Sequence, residues 1–200
     1  LLIKPIFTIN KFFPNYRKHE VGTNSQSDRD IHNLIDKSHS NLTLSVDEQL
    51  IGEEFLKKFG LSSKSKFICL IVRDNAYLNK LSYHDYRDGD IDKYLYALNE
   101  LTKLGYYIFR MGVKVNKKID INNDKIIDYA SLNIRNDFLD VYLAANCEFC
   151  ISTSTGFDAV VSIFRKPIAF ITVPIGHMFT FSKKYIAIIK IHADKKNHKK

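Results

Sequence analysis

The sequence predicts an α/β domain built on a doubly wound parallel sheet. Three observations carry that expectation. Short unbroken apolar runs such as FICLIV (67–72) recur along the chain, as expected of strands buried on both faces. Between them lie segments with helical apolar spacing, opened by capping residues or closed by glycine. From residue 45 onward strand and helix alternate, which is the pattern of parallel strands joined by crossover helices.

Residues 1–44 contain IKPIFTI and a long polar stretch without clear period, and read as a linker or a partial N-terminal domain. SVDEQLIGEEFLKKFG (45–60) is an amphipathic helix. Ser45 and Glu48 form a capping-box pair, apolar residues fall at 46, 50, 51, 55, 56 and 59, and Gly60 ends it. FICLIV is the first strand, with Arg73 and Asp74 at its carboxyl end, and a polar, tyrosine-rich loop follows to residue 90. DIDKYLYALNELTKLG (90–105) is the second helix, with Asp90 as N-cap and Gly105 as terminator. YYIFRMG (106–112) is the second strand and IIDYA (126–130) a short third. NDFLDVYLAANC (136–147) is a helix capped by Asn136. EFCIS (148–152) and PIAFITV (167–173) are the fourth and fifth strands, joined by a helix over 156–165. The domain is expected to span 45–191, and the lysine-rich 192–200 to be a disordered basic tail.

Bulk properties bound the function. A chain of 200 residues, 45% apolar and 26% charged, suits one soluble α/β domain, or one plus part of another. No apolar run approaches the ~20 residues of a spanning helix. The leading LLIKPIF is too short for a signal peptide. Because the first residue is not Met, a fragment is expected. The net charge of +8 is concentrated at one end, since residues 183–200 hold seven Lys against one Asp. That argues for a solvated tail rather than a nucleic-acid face, and leaves peripheral membrane association open. Cys69, Cys147 and Cys150 all lie in strand-like runs and suit core positions in a reducing cytoplasm. Cys147 and Cys150 spell C-x-x-C, but residues three apart on a strand face opposite ways, and no second pair completes a zinc site.

Ligands of open α/β sheets bind beyond the carboxyl ends of the strands. Those ends carry Arg73 and Asp74, then Arg110, then Asp128 and Tyr129, then Ser152, Thr153, Ser154, Thr155 and Gly156. Four hydroxyls and a glycine at a strand-to-helix turn suit a phosphate. The helix start offers unpaired amides and partial positive charge, and glycine permits close backbone approach. The competing reading is an N-cap with surplus hydroxyls. There is no G-x-x-x-x-G-K-[ST] or G-x-G-x-x-G, and STSTG lacks the leading glycine of a nucleophile elbow. Asp88-Gly89-Asp90 spells D-x-D, but it leads into a helix, where Asp90 has a capping role.

Taken in order, FICLIVRDNAYL, SYHDYRDGDIDKYLYALNELTKLGYYIFRMG and NDFLDVYLAANCEFCISTSTGFDAVVSIFRKPIAF resemble a family of bacterial glycosyltransferases for surface carbohydrates. The resemblance covers about residues 45–184. It implies the GT-B architecture, two Rossmann-like domains with the active site between them. The C-terminal one binds a nucleotide-sugar donor without metal or cofactor, and the acceptor is a carbohydrate. By this resemblance Arg73 and His84 are the catalytic candidates, Arg73 neutralising a diphosphate and His84 serving as base or ligand contact. Tyr83, Arg87, Arg110, Gly112, Ser152, Thr153, Ser154, Thr155, Gly156 and Asp158 are the substrate-binding candidates. Asp158 would hold a hydroxyl or favour the helix dipole. Where the family carries His two residues before the arginine, this chain has Ile71. The expected N-terminal domain is mostly absent, so the alternative is a non-catalytic or truncated nucleotide-sugar-binding remnant.

Overall fold

Five apolar runs and a sixth line up side by side. In the computed structural model, which describes residues 8–16, 30, 33–77, 82–174 and 182–191, they form one all-parallel sheet in the order β3-β2-β1-β4-β5-β6. The strands are β1 (Phe67–Ile71), β2 (Tyr107–Arg110), β3 (Ile126–Ile127), β4 (Cys150–Ser152), β5 (Ile168–Val173) and β6 (Tyr185–Ile189). The helices are α1 (Leu34–Lys37), α2 (Val46–Lys57), α3 (Leu95–Lys103), α4 (Asp137–Asn146) and α5 (Phe157–Ile163). This is the Rossmann-like strand order. The expected tail over 192–200 and most of residues 1–32 lie outside the described residues.

β1 shows why the run is continuously apolar. Phe67 and Cys69 face one core with α2, α4 and α5, while Ile68 and Leu70 face another with α3. On the first side Phe55 packs against Phe59, Phe109 and Tyr129, with ring centroids 5.3–6.2 Å apart. All three cysteines are free and buried, and burial pushes the Cys69 and Cys150 thiols up. Among the described residues no helix is long and apolar enough to cross a membrane.

Caps fall where the side chains dictate. Ser45 and Glu48 form the reciprocal box at α2, and the Asn136 side chain accepts from the Leu139 amide at 2.8 Å. Asp90 caps a 3-10 turn, Ile91–Tyr94, which precedes α3 rather than continuing one helix. Three further expectations need correction. Val46, Leu50 and Ile51 of the α2 stripe are exposed, and only Phe55 and Leu56 are buried. The third strand stops at Ile127, because the Asp128 carboxylate turns to bond the Ile119 amide and the Ser131 hydroxyl. The run YIAII, to which the sequence reading assigned no strand, is β6, the outer strand on its side of the sheet.

Candidate functional site

The order 3-2-1-4-5-6 has its switch point between β1 and β4. From β1 the chain crosses to α3 on one face; from β4 it crosses to α5 on the other. In open sheets of this kind ligands bind there, in the crevice beyond the carboxyl ends. Two segments border it: the turn Ser152–Asp158 and the 3-10 turn Ser82–Arg87 with its continuation to Gly89.

The four hydroxyls divide into two pairs. Ser152 and Thr153 are fully buried. The Ser152 Oγ accepts from the Ser154 amide at 3.0 Å, and the Thr153 Oγ1 accepts from the Arg73 amide at 2.8 Å. These two hydroxyls tie β4 to β1 and shape the turn, so they do not open to the crevice as expected. Ser154 and Thr155 are half-buried and Gly156 is exposed at the helix start. Ser154 has φ 68°, a left-handed conformation that a non-glycine residue adopts at a cost.

The amides at the turn are not all free for an anion. Asp158 folds back, and its Oδ2 accepts from the Thr155 amide at 2.7 Å. This carboxylate occupies part of the expected phosphate cradle. The spacing Thr155-x-x-Asp158 was the available signal, since S/T-x-x-D/E marks a carboxylate that reaches back to the helix start. The residue is buried, and Oδ1 has no hydrogen-bond partner. Burial pushes the Asp158 carboxyl up to about 6, against the opposing pull of Ser152, the Thr155 amide and Arg87.

Both arginines of the crevice are held. Arg73 donates from Nη1 to the His84 carbonyl at 2.9 Å and pairs with the Asp88 carboxylate, rather than with the adjacent Asp74. Arg87 donates from Nη2 to the Ser154 carbonyl at 2.9 Å, which stitches the 3-10 turn to the hydroxyl turn. Arg87 Nε, His84 Nδ1, Thr155 Oγ1 and Asp158 Oδ1 are buried without hydrogen-bond partners. Two of these atoms belong to the 3-10 turn and two to the Ser152–Asp158 turn. Tyr83 is exposed, and its ring centroid lies 4.1 Å from that of His84 with the planes tilted by 41°.

Two contributors escaped the sequence reading. Asp88 sets the orientation of Arg73. Burial pushes its carboxyl up, Arg73 opposes that, and Asp85 and Asp74 push the same way as burial. Lys190, just past β6, donates from Nζ to the Tyr86 carbonyl at 2.7 Å and to the Asp88 carbonyl at 2.9 Å, fixing the 3-10 turn over the crevice. No local pattern announces either contact, because the partners lie 15 and about 100 residues apart.

Arg110 and Gly112 lie on the far side of β1. Arg110 is fully buried at the end of β2 beside Asp128 and the Lys117 carbonyl. Gly112 has φ 152°, and a Cβ there would meet Val115 at 3.2 Å, so its role is to turn the chain. A larger cavity of about 610 Å³ lies at the opposite, amino-terminal end of β5 and β6, between Arg165 and Tyr185. No group of three His, Cys, Asp or Glu among the described residues is placed to hold a metal ion. No protein-family model, curated protein or solved structure matches the chain.

Proposed function

We propose that this chain is the nucleotide-sugar-binding domain of a GT-B type glycosyltransferase that transfers a sugar to a surface carbohydrate without a metal. The observation that supports the reading is the Ser152–Asp158 turn at the β1/β4 switch point, bonded by the Arg87 guanidinium and by the Arg73 backbone amide, with the Arg73 guanidinium held nearby on the His84 carbonyl and Asp88. A departing nucleoside diphosphate gathers negative charge. Guanidinium groups suit it because their planar forks bond phosphate oxygens two at a time. Fixed donors aimed at developing charge lower a barrier by about 3–4 kcal/mol each in oxyanion sites. Asp88 holds Arg73 in place until a diphosphate competes for the same guanidinium. His84, whose ring nitrogen lacks a partner, is the candidate base or ligand contact.

A non-catalytic nucleotide-sugar-binding domain is the second reading. It is favoured by the carboxylates Asp88 and Asp158, which already occupy Arg73 and the Thr155 amide. Thermal unfolding with UDP-, GDP-, CMP- and dTDP-sugars tests the binding that both readings share. A ligand at 100 times its Kd stabilises by about 2.7 kcal/mol. Arg73→Ala and Arg87→Ala are expected to lose that shift while melting cooperatively without ligand. If no donor shifts the wild-type transition, both readings fall. Turnover of the bound donor separates the transferase from the binding domain.

A further inference from the structure

On the other side of β1 a cavity of about 260 Å³ lies between the carboxyl ends of β1 and β2. Its walls are Val72, Ile91 and the Gly89 backbone, and its polar rim carries Asp74, Asp88 and Asp90 with Arg110 and Lys117. We propose that this cavity binds the hydroxyl groups of a sugar ring, with the Asp88-Gly89-Asp90 carboxylates accepting and Arg110 donating. The proposal rests on the nucleotide-sugar reading and assigns the hydroxylated part of that ligand to a place apart from the diphosphate.

Arg110 is the first argument. It is only 1% exposed, its Nη1 donates to the Lys117 carbonyl and lies 3.4 Å from Asp128, and its Nε is buried without a partner. The Asp128 Oδ2 is already bonded by the Ile119 amide at 2.9 Å and the Ser131 hydroxyl at 2.7 Å. An unsatisfied donor buried beside a cavity calls for an acceptor from within it.

Charge is the second. Three carboxylates face two cations on the rim, and Asp74 and Asp85 both push the Asp88 carboxyl up. A phosphate would be repelled and could not donate to those carboxylates. A hydroxyl both donates and accepts, so a ring with neighbouring hydroxyls satisfies the two kinds of group together.

The third is that the frame is already built. Asp74 accepts from the Ala76 amide at 3.0 Å and from the Asn116 amide at 2.9 Å, and Lys117 is paired with Asp92. Those groups are spent on shape. Gly89 forms the partition toward the crevice. Its amide donates to the Arg73 carbonyl at 2.8 Å, and a Cβ there would lie 2.8 Å from Val72 and 3.5 Å from Thr153. A ring in this cavity therefore sits one residue away from the backbone of Arg73. The volume is just under the roughly 300–1,000 Å³ of ordinary ligand pockets, which suits one ring rather than a whole nucleotide.

Calorimetric titration tests this with UDP, GDP and dTDP, bare and carrying glucose, mannose or N-acetylglucosamine. The proteins are wild type, Asp90→Asn and Arg110→Lys. Asp90→Asn keeps the oxygen that caps the 3-10 turn, so it carries the test even if Arg110→Lys fails to fold. At least a fivefold loss of affinity is expected. Loss confined to the glycosylated ligands identifies the transferred sugar, and equal loss for the bare diphosphates identifies ribose. Either outcome is to be matched by slower hydrogen exchange at 88–91 and 113–118 on binding. Bare diphosphates that bind wild type, with no affinity changed in Asp90→Asn, overturn the subsite alone. No binding of any of them to wild type overturns the nucleotide-sugar reading, and the subsite with it.

Discussion

Replacing Asp158 with Asn should stabilise the protein at neutral pH, although Asp158 makes a good hydrogen bond. The folded carboxyl titrates at about 6 against an ordinary 3.8, mainly through burial. The folded state therefore holds that proton more tightly than the unfolded chain does. Stability from this group is fully present below 3.8, and it is lost as the pH rises through about 6. Each pKa unit is worth about 1.4 kcal/mol, so the cost at pH 7.5 is about 3 kcal/mol and at pH 4.5 only about 1 kcal/mol. Asn is neutral throughout and keeps an oxygen for the Thr155 amide. Urea unfolding of both proteins at the two pH values isolates the effect, because other titrating groups cancel in the difference. The advantage of Asp158→Asn should grow by about 2 kcal/mol between pH 4.5 and 7.5. A difference that stays constant, or an Asn variant that loses ground at the higher pH, would refute the assignment of a buried, disfavoured carboxylate.

Gly52→Ala should destabilise even though alanine is the better helix former by about 1 kcal/mol. The added Cβ would lie 2.0 Å from the Tyr142 ring, where α2 rests on α4, and overpacking of this kind costs about 1–3 kcal/mol. A rise in melting temperature would show that this contact is not close. Ser45→Ala should remove one half of the α2 capping box and cost about 1 kcal/mol in chemical denaturation. No measurable change there would mean that the end of α2 frays in the native protein.

Much of the fold was legible because it is written locally. The continuous apolar runs of β1, β2, β4 and β5 and the caps Ser45, Asp90 and Asn136 need only neighbouring residues to be read. β6 was missed because YIAII is flanked by lysines that look like tail. The α2 stripe misled because periodicity reports a surface able to be covered, not one that is covered. At the site, Arg87 came only from the family resemblance, while strand-end reasoning pointed to Arg73 and the hydroxyl turn. It could not find that Ser152 and Thr153 face inward, since that depends on the register of β4 against β1. Nor could it find Asp88 or Lys190, whose roles exist only once distant segments meet.

β6 leaves a further consequence. Ile186 and Ile188 stand exposed on one side and Ile189 on the other, on the last strand of the sheet among the described residues. Such a margin can accept a further strand, and two copies joined margin to margin would use up both and stop at a pair. Charged substitutions at 186 or 188 are thus the direct means of keeping concentrated preparations monodisperse.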